Sequence, residues 1–190
     1  FLPAVLVAFA IVGVPLVYAK QRKQHLRNFR VVEEGKLYRS AQLTPAGLER
    51  IIHDYQIRTV VSLRYPEPPN VLPPDHWEED FCARHGVNYV RIMPDVYDLD
   101  EAGAAPAEKS FHRFLDVVTD KKNQPVLVHC FRGVHRTGQF CCVYRLDQCG
   151  WTPADAGAEM EALGYVEYPA HPEVRNYFEN YRPRQPQSKK

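Results

Sequence analysis

The sequence predicts an α/β domain built on a central, mainly parallel sheet with helices on both faces. Two observations carry this. From about residue 29 to residue 181, apolar runs of strand length alternate with stretches of helical periodicity. Strand–helix alternation of this kind lays strands side by side in parallel and packs the crossover helices against the two faces. In addition, the run at 125–128 leads into Cys130, a tight loop and a new helical pattern, and ligands of such sheets sit beyond the carboxyl ends of the strands.

The elements follow in order. Residues 29–32 and 37–39 read as two short strands around the turn Glu33-Glu34-Gly35. Thr44-Pro45 opens a helix to about residue 55, with Thr44 as N-cap, Pro45 in the first turn and Leu48, Ile51 and Ile52 on one face. Residues 57–63 form a strand. Residues 64–74 hold five of the sixteen prolines and form a loop. A helix over 75–85 ends at Gly86, and a strand follows over 88–93. After a loop rich in acids, Gly and Ala comes a helix over 106–119, with Phe111, Phe114, Leu115 and Val118 inward. The strand at 125–128 is followed by helices over 136–149, 153–163 and 171–181. No internal repeat is visible.

Charge is unevenly spread. Residues 20–30 carry five bases and no acid, and residues 182–190 carry four bases and no acid. All 23 acids lie in 31–181 against 15 bases, a net of −8, so the domain is a poor general nucleic-acid binder. Five cysteines, an odd number without disulfide-framework or paired Cys-x-x-Cys spacing, argue against a disulfide scaffold and against zinc. Residues 1–19 are uncharged and mostly apolar, and as a helix would run about 28 Å, close to a bilayer's hydrocarbon thickness. The expectation is a membrane anchor over 1–19, a basic linker over 20–28, the domain over 29–181 and a basic tail over 182–190. The bases after the apolar run place the domain on the cytoplasmic side, with membrane contact through residues 1–30. The competing reading is a signal peptide cleaved after Val17-Tyr18-Ala19, giving a secreted or periplasmic protein. The chain opens at Phe1 without a methionine, which reads as a piece of a longer chain or a trimmed form.

The chemistry concentrates between Val126 and Gly138. Cys130 and Arg136 face each other across one loop between a strand end and a helix start. Backbone N–H groups and the positive end of a helix dipole favour an anion there, and the same field favours a thiolate. Arg136 can hold two oxygens of a phosphate at once. Gly133 and Gly138 free the backbone to turn its N–H groups inward.

The run His129-Cys130-Phe131-Arg132-Gly133-Val134-His135-Arg136-Thr137-Gly138 resembles the phosphate-binding loop of cysteine-based protein tyrosine phosphatases. Its Cys-x-Arg-Gly-x-His-Arg-Thr-Gly form is most similar to the atypical dual-specificity branch, which includes inositol-pyrophosphate phosphatases. The resemblance implies a dual-specificity phosphatase-like fold and a phosphatase without cofactor or metal, with Cys130 as nucleophile and Arg136 as phosphate clamp. It implies that Phe131, Arg132, Gly133, Val134, His135 and Thr137 line the substrate, that Thr137 helps the thiolate leave, and that His129 orders the loop. It places the general acid on the loop after the strand at 88–93, where Asp95 is the first choice and Asp98 and Asp100 are the alternatives. The substrate class it implies is a phosphorylated protein, or a small-molecule or lipid phosphate. A rhodanese-like sulfurtransferase and an inactive phosphate-binding module are the rival readings. Arg39 and Arg64, at strand ends that could border the pocket, are left outside the expected site.

Overall fold

The computed structural model describes residues 9–16, 25–66, 71–95, 97 and 105–184. Five strands form one sheet: β1 (Arg30–Glu33), β2 (Leu37–Ala41), β3 (Thr59–Ser62), β4 (Asn88–Arg91) and β5 (Val126–Cys130), in the order β1-β2-β5-β3-β4. β5 lies at the centre and pairs in parallel with β2 and β3, β4 pairs in parallel with β3, and only β1 runs antiparallel. The six α-helices are α1 (Pro45–Tyr55), α2 (Trp77–Arg84), α3 (Pro106–Thr119), α4 (His135–Gln148), α5 (Pro153–Ala162) and α6 (Pro172–Glu179).

Alternation along β5 divides the interior. Val126, Val128 and Cys130 join Phe111, Phe114 and Phe140 in the core beneath α3 to α6. Leu127 points the other way, into the core of Leu48, Ile51, Phe81 and Cys82 beneath α1 and α2. All five β5 residues are buried, so the strand is apolar until its last two positions, where chemistry replaces packing. Thr44 caps α1 by accepting from the Gly47 amide, with Pro45 behind it, as its sequence predicts.

The expected membrane anchor does not stand. Of residues 1–19, only 9–16 are described: a π-helix over Phe9–Gly13, then one turn to Leu16. Among the described residues no helix is long and apolar enough to cross a membrane. The assignment to a membrane is therefore withdrawn, and the remaining positions of that segment and the Ala19 cleavage site lie outside the described residues.

The chain on either side of the domain packs back onto it. His25 Nδ1 lies 2.8 Å from Thr44 Oγ1, and the His25 carbonyl covers Gly47 so closely that a Cβ there would collide with it. At the other end, Arg184 pairs with Asp116 at 2.6 Å and with Asp147 at 3.5 Å.

Candidate active site

β5 delivers Cys130, 5% exposed, to the mouth of the loop that opens α4. The Gly133 amide donates to Cys130 Sγ at 3.2 Å. Burial alone would raise the thiol pKa. The hydroxyl and amide of Thr137, the Gly133 amide and the charge of His129 outweigh it, and the net shift is downward. Thr137 is fully buried, and its hydroxyl has no oxygen or nitrogen partner among the described residues, which leaves it to the sulfur.

Gly133 is where the loop depends on a missing side chain. Its φ is +69°, a left-handed conformation, and a Cβ there would sit 2.4 Å from the Ser40 carbonyl oxygen. The loop thus lies directly on β2. Gly138 does not share this role: it sits within α4, where a Cβ would meet Met160 and Arg39 at ordinary van der Waals distance.

The loop is held by residues that the motif does not contain. Arg39, 2% exposed, donates from Nη2 to the Gly133 carbonyl at 2.8 Å. Asn28 donates to the Arg132 carbonyl at 2.8 Å, and the Gln42 amide donates to the Phe131 carbonyl at 3.2 Å. Three carbonyls of the loop are therefore tied down, an arrangement that leaves its amides free to face an anion.

Around the mouth, Phe131 is half exposed, with the guanidiniums of Arg64 and Arg27 at 5.1 and 5.7 Å from its ring centroid. Arg132 is exposed. Arg136, half-buried in the first turn of α4, donates to the Tyr65 hydroxyl at 2.8 Å and stands 4.2 Å over its ring. His135 meets Tyr165 edge-on and lies 3.5 Å from a Glu167 carboxylate oxygen. Val134 packs toward Gly164.

Of the acid candidates, Asp95 is an exposed loop residue beyond β4, while Asp98 and Asp100 lie outside the described residues. The approach to Asp95 is fixed: Ile92 is buried and bonded to the Ser62 carbonyl at 3.0 Å, and Ser110 in α3 donates to the Met93 carbonyl at 2.8 Å.

Beneath the loop lies a buried polar network. Glu78 and His129 are 1% and 2% exposed, with His129 Nε2 2.8 Å from Glu78 Oε2. Gln42 donates to Glu78 at 2.5 Å and accepts from Arg64 at 2.9 Å. Asp75 accepts from Arg91 at 2.8 Å, from Tyr89 at 3.2 Å and from Ser62. Burial would raise the Asp75 carboxyl, but hydrogen bonds from Ser62 and Arg91 hold it below its ordinary range. Desolvation would likewise depress the His129 pKa, yet the facing Glu78 carboxylate raises it overall. Asp75, Glu78 and His129 could each offer one atom to a metal ion, all within 4.8 Å of one another. The carboxylates are already engaged by Arg91, Ser62, Tyr89, Gln42 and His129, so the cluster neutralises itself.

Sequence reasoning placed Arg39 and Gln42 at a strand end that could border the pocket but left them outside the site, and it missed Tyr65, Glu78 and Asn28. A weak signal existed for Arg39: a charge inside a short strand of otherwise uncharged residues needs a partner. The others become neighbours of the loop only through tertiary packing.

Comparison with known proteins agrees with this geometry. A family model described as "DSP-PTPase phosphatase fused to NAD+ Kinase" matches residues 9–165. A Saccharomyces cerevisiae protein named "Putative tyrosine-protein phosphatase OCA1" is 31% identical over 129 residues, covering 66% of this chain and 50% of its own. "Inositol diphosphatase DSP1" of Oryza sativa subsp. japonica is 33% identical over 112 residues, covering 58% of this chain and 46% of its own. The chain thus spans about half the length of these two curated relatives. Among solved structures, the core catalytic domain of the PP-IP phosphatase SIW14 from S. cerevisiae superposes with a TM-score of 0.64 at 21% identity, covering 83% of this chain and 87% of that one. Pseudomonas aeruginosa TpbA gives 0.60 at 21% identity, covering 82% and 85%. These two likenesses establish the fold, while the family model spans most of the sequence. The chain belongs to that DSP-PTPase family, within the atypical dual-specificity branch of the cysteine-based tyrosine phosphatases.

Proposed function

We propose that the domain hydrolyses phosphate monoesters through a cysteinyl-phosphate, as a protein tyrosine or dual-specificity phosphatase. The observation that carries this is the environment of Cys130, a buried thiol whose pKa is lowered by the Thr137 hydroxyl and by the Thr137 and Gly133 amides. The thiolate sulfur attacks phosphorus in line. The P–O bond to the leaving group breaks as Asp95 delivers its proton to that oxygen. Loop amides and Arg136 hold the equatorial oxygens as charge develops. Water then attacks phosphorus, Asp95 takes its proton, and the S–P bond breaks to return the thiolate, steadied by Thr137. In this reading Phe131, Arg132, Gly133, Val134 and His135 line the substrate, and His129 supports the loop from below.

The test is Cys130→Ser, which should abolish hydrolysis of p-nitrophenyl phosphate while keeping phosphate binding. Undiminished turnover by that variant sinks the mechanism. A second substrate reading, an inositol pyrophosphate or phosphoinositide, is favoured by one observation. Arg27, Arg64 and Arg132 gather around Phe131 and the loop mouth, and none has a carboxylate in salt-bridge range among the described residues. A panel of phosphopeptides, phosphoinositides and inositol pyrophosphates, compared by kcat/KM, separates the two.

A further inference from the structure

The phosphatase motif ends at His129 on its amino side, but the structure continues past it. His129 lies on the face of β5 opposite Cys130, and its ring is enclosed beneath α2. There it meets one carboxylate at ion-pair distance, Glu78, 2.8 Å away in a place with 1–2% exposure. Water cannot screen this pair.

We propose that Glu78 is a positioning residue of the active site: it holds His129 as a buried imidazolium, whose charge, one residue from Cys130, keeps the nucleophile a thiolate. This rests on the phosphatase reading and deepens it.

The charges around the pair are arranged for that task. Asp75, the other carboxylate near His129, is occupied by Arg91, Ser62 and Tyr89, so its charge is spent on Arg91. Glu78 takes one hydrogen bond from Gln42, which is itself fixed by Arg64, and its remaining charge is directed to the imidazole. Cys82 and Tyr89, the other titratable groups near Glu78, are buried groups whose pKa values are pushed upward, so neither supplies an anion or a cation. His129 and Cys130 are adjacent along β5 with side chains on opposite faces, and their charges act on each other: the thiolate raises the His129 pKa, as the Asp75 carboxylate also does, and the imidazolium lowers that of Cys130. Of this pair, it is the imidazolium, on the residue next to Cys130, whose charge lowers the thiol pKa. Without Glu78, burial favours the neutral imidazole, and the sulfur loses that positive charge.

The test uses the full chain and does not require turnover. Alkylation of Cys130 by iodoacetamide, followed by mass spectrometry from pH 4 to 10, reads the thiol pKa directly in the wild type, Glu78→Gln, Glu78→Asp, His129→Asn and the double variant Glu78→Gln/His129→Asn. Glu78→Gln should move the midpoint upward by about one unit, a roughly tenfold loss of thiolate on the acid side. Rates at high pH should not change, and Glu78→Asp should restore part of the shift. The double variant should behave as His129→Asn alone, because the effect passes through the imidazole. The acid limb of kcat/KM for p-nitrophenyl phosphate should follow the same order. A purely structural staple would lower thermal stability and leave the midpoint in place. An unchanged or lowered midpoint in Glu78→Gln overturns the proposal, as does an additive shift in the double variant. If Glu78→Gln does not fold, nitrogen-15 NMR of wild-type His129 decides: an imidazolium persisting above pH 7 supports the proposal, and a neutral ring at pH 7 refutes it. Failure of the phosphatase reading looks different, since the wild type would then alkylate normally and hydrolyse no aryl phosphate.

Discussion

Replacing Gly133 by alanine tests how the loop is built. Two costs are separable in the structure. The first is conformational: φ is +69°, and a left-handed residue with a Cβ costs about 1–2 kcal/mol. The second is steric: the new Cβ would lie 2.4 Å from the Ser40 oxygen and 2.5 Å from the Ala41 nitrogen. Both atoms belong to the sheet backbone, which cannot swing aside as a flexible side chain would. Relieving the overlap costs roughly a further 1–3 kcal/mol, as overpacking usually does. Gly86 supplies the control, because its φ is +67° with nothing within 4 Å of a Cβ. Gly86→Ala should therefore carry the first cost alone. For a domain of this size each kcal/mol moves Tm by about 2–4 °C. Gly86→Ala should then lower Tm by roughly 2–8 °C, and Gly133→Ala by clearly more, within roughly 4–20 °C. Activity should divide the two variants more sharply. Lifting the loop off β2 breaks the Arg39 bond to the Gly133 carbonyl and removes the Gly133 amide from Cys130 Sγ. A hydrogen bond to a charged group is worth about 1.5–3 kcal/mol, hence roughly a tenfold to hundredfold loss in kcat/KM. Calorimetry and p-nitrophenyl phosphate kinetics on both variants measure each part. Equal Tm losses, or a Gly133→Ala enzyme of wild-type activity, would refute the close approach of loop and strand.

Three further outcomes are expected. Thr137→Val keeps the shape and removes the hydroxyl, so it should slow release of phosphate from the cysteinyl intermediate by about tenfold to a hundredfold; burst kinetics detect the accumulated intermediate, and an unaltered second step counts against it. Asp95→Asn should lower kcat by about 10²–10⁴-fold on a poor leaving group and remove the alkaline limb of the profile; if only Asp98→Asn or Asp100→Asn does so, the acid lies at that position. The raised His129 pKa also makes folding stability depend on pH. Its contribution is fully present below the ordinary histidine range and is lost as pH climbs through the higher folded value. His129→Asn should flatten that part of the stability curve in denaturant melts, and an identical slope in the variant argues against a charged His129.

The candidate loop was legible because its pattern is local. Strand, cysteine, five-residue loop, arginine and helix follow one another in sequence, and the strand and the helix formed where periodicity placed them. The second layer was not legible. Glu78 sits among Trp77, Glu79, Asp80 and Phe81, where another acid in a helical first turn reads as an ordinary dipole partner. Only the crossover from β3 through α2 to β4 turns it inward onto β5. Arg39 was passed over for a related reason: β2 pairs with β5 in a register that sets Ser40 opposite His129 and Ala41 opposite Cys130, and register is a property of the sheet. The apolar run at 1–19 misled in the opposite direction. Composition alone suggested a span, but the described part, with Gly13 and Pro15 close together, is a π-turn and a single helical turn.

The net charge of −8 over residues 31–181 need not oppose an anionic ligand, because distance decides which charges it feels. At physiological ionic strength the screening length is about 8 Å, so exposed acids on the remote helices contribute little at the loop. Within that range the ligand meets the loop amides, Arg136, Arg132 and the guanidiniums beside Phe131. Asp75 and Glu78 lie below the loop, each facing a cation: Arg91 for one and His129 for the other. Asp75 and Glu78 therefore act on an anion at the mouth only through cations that already neutralise them. The same pairing that hides Glu78 from the ligand is what lets it act on Cys130 through His129.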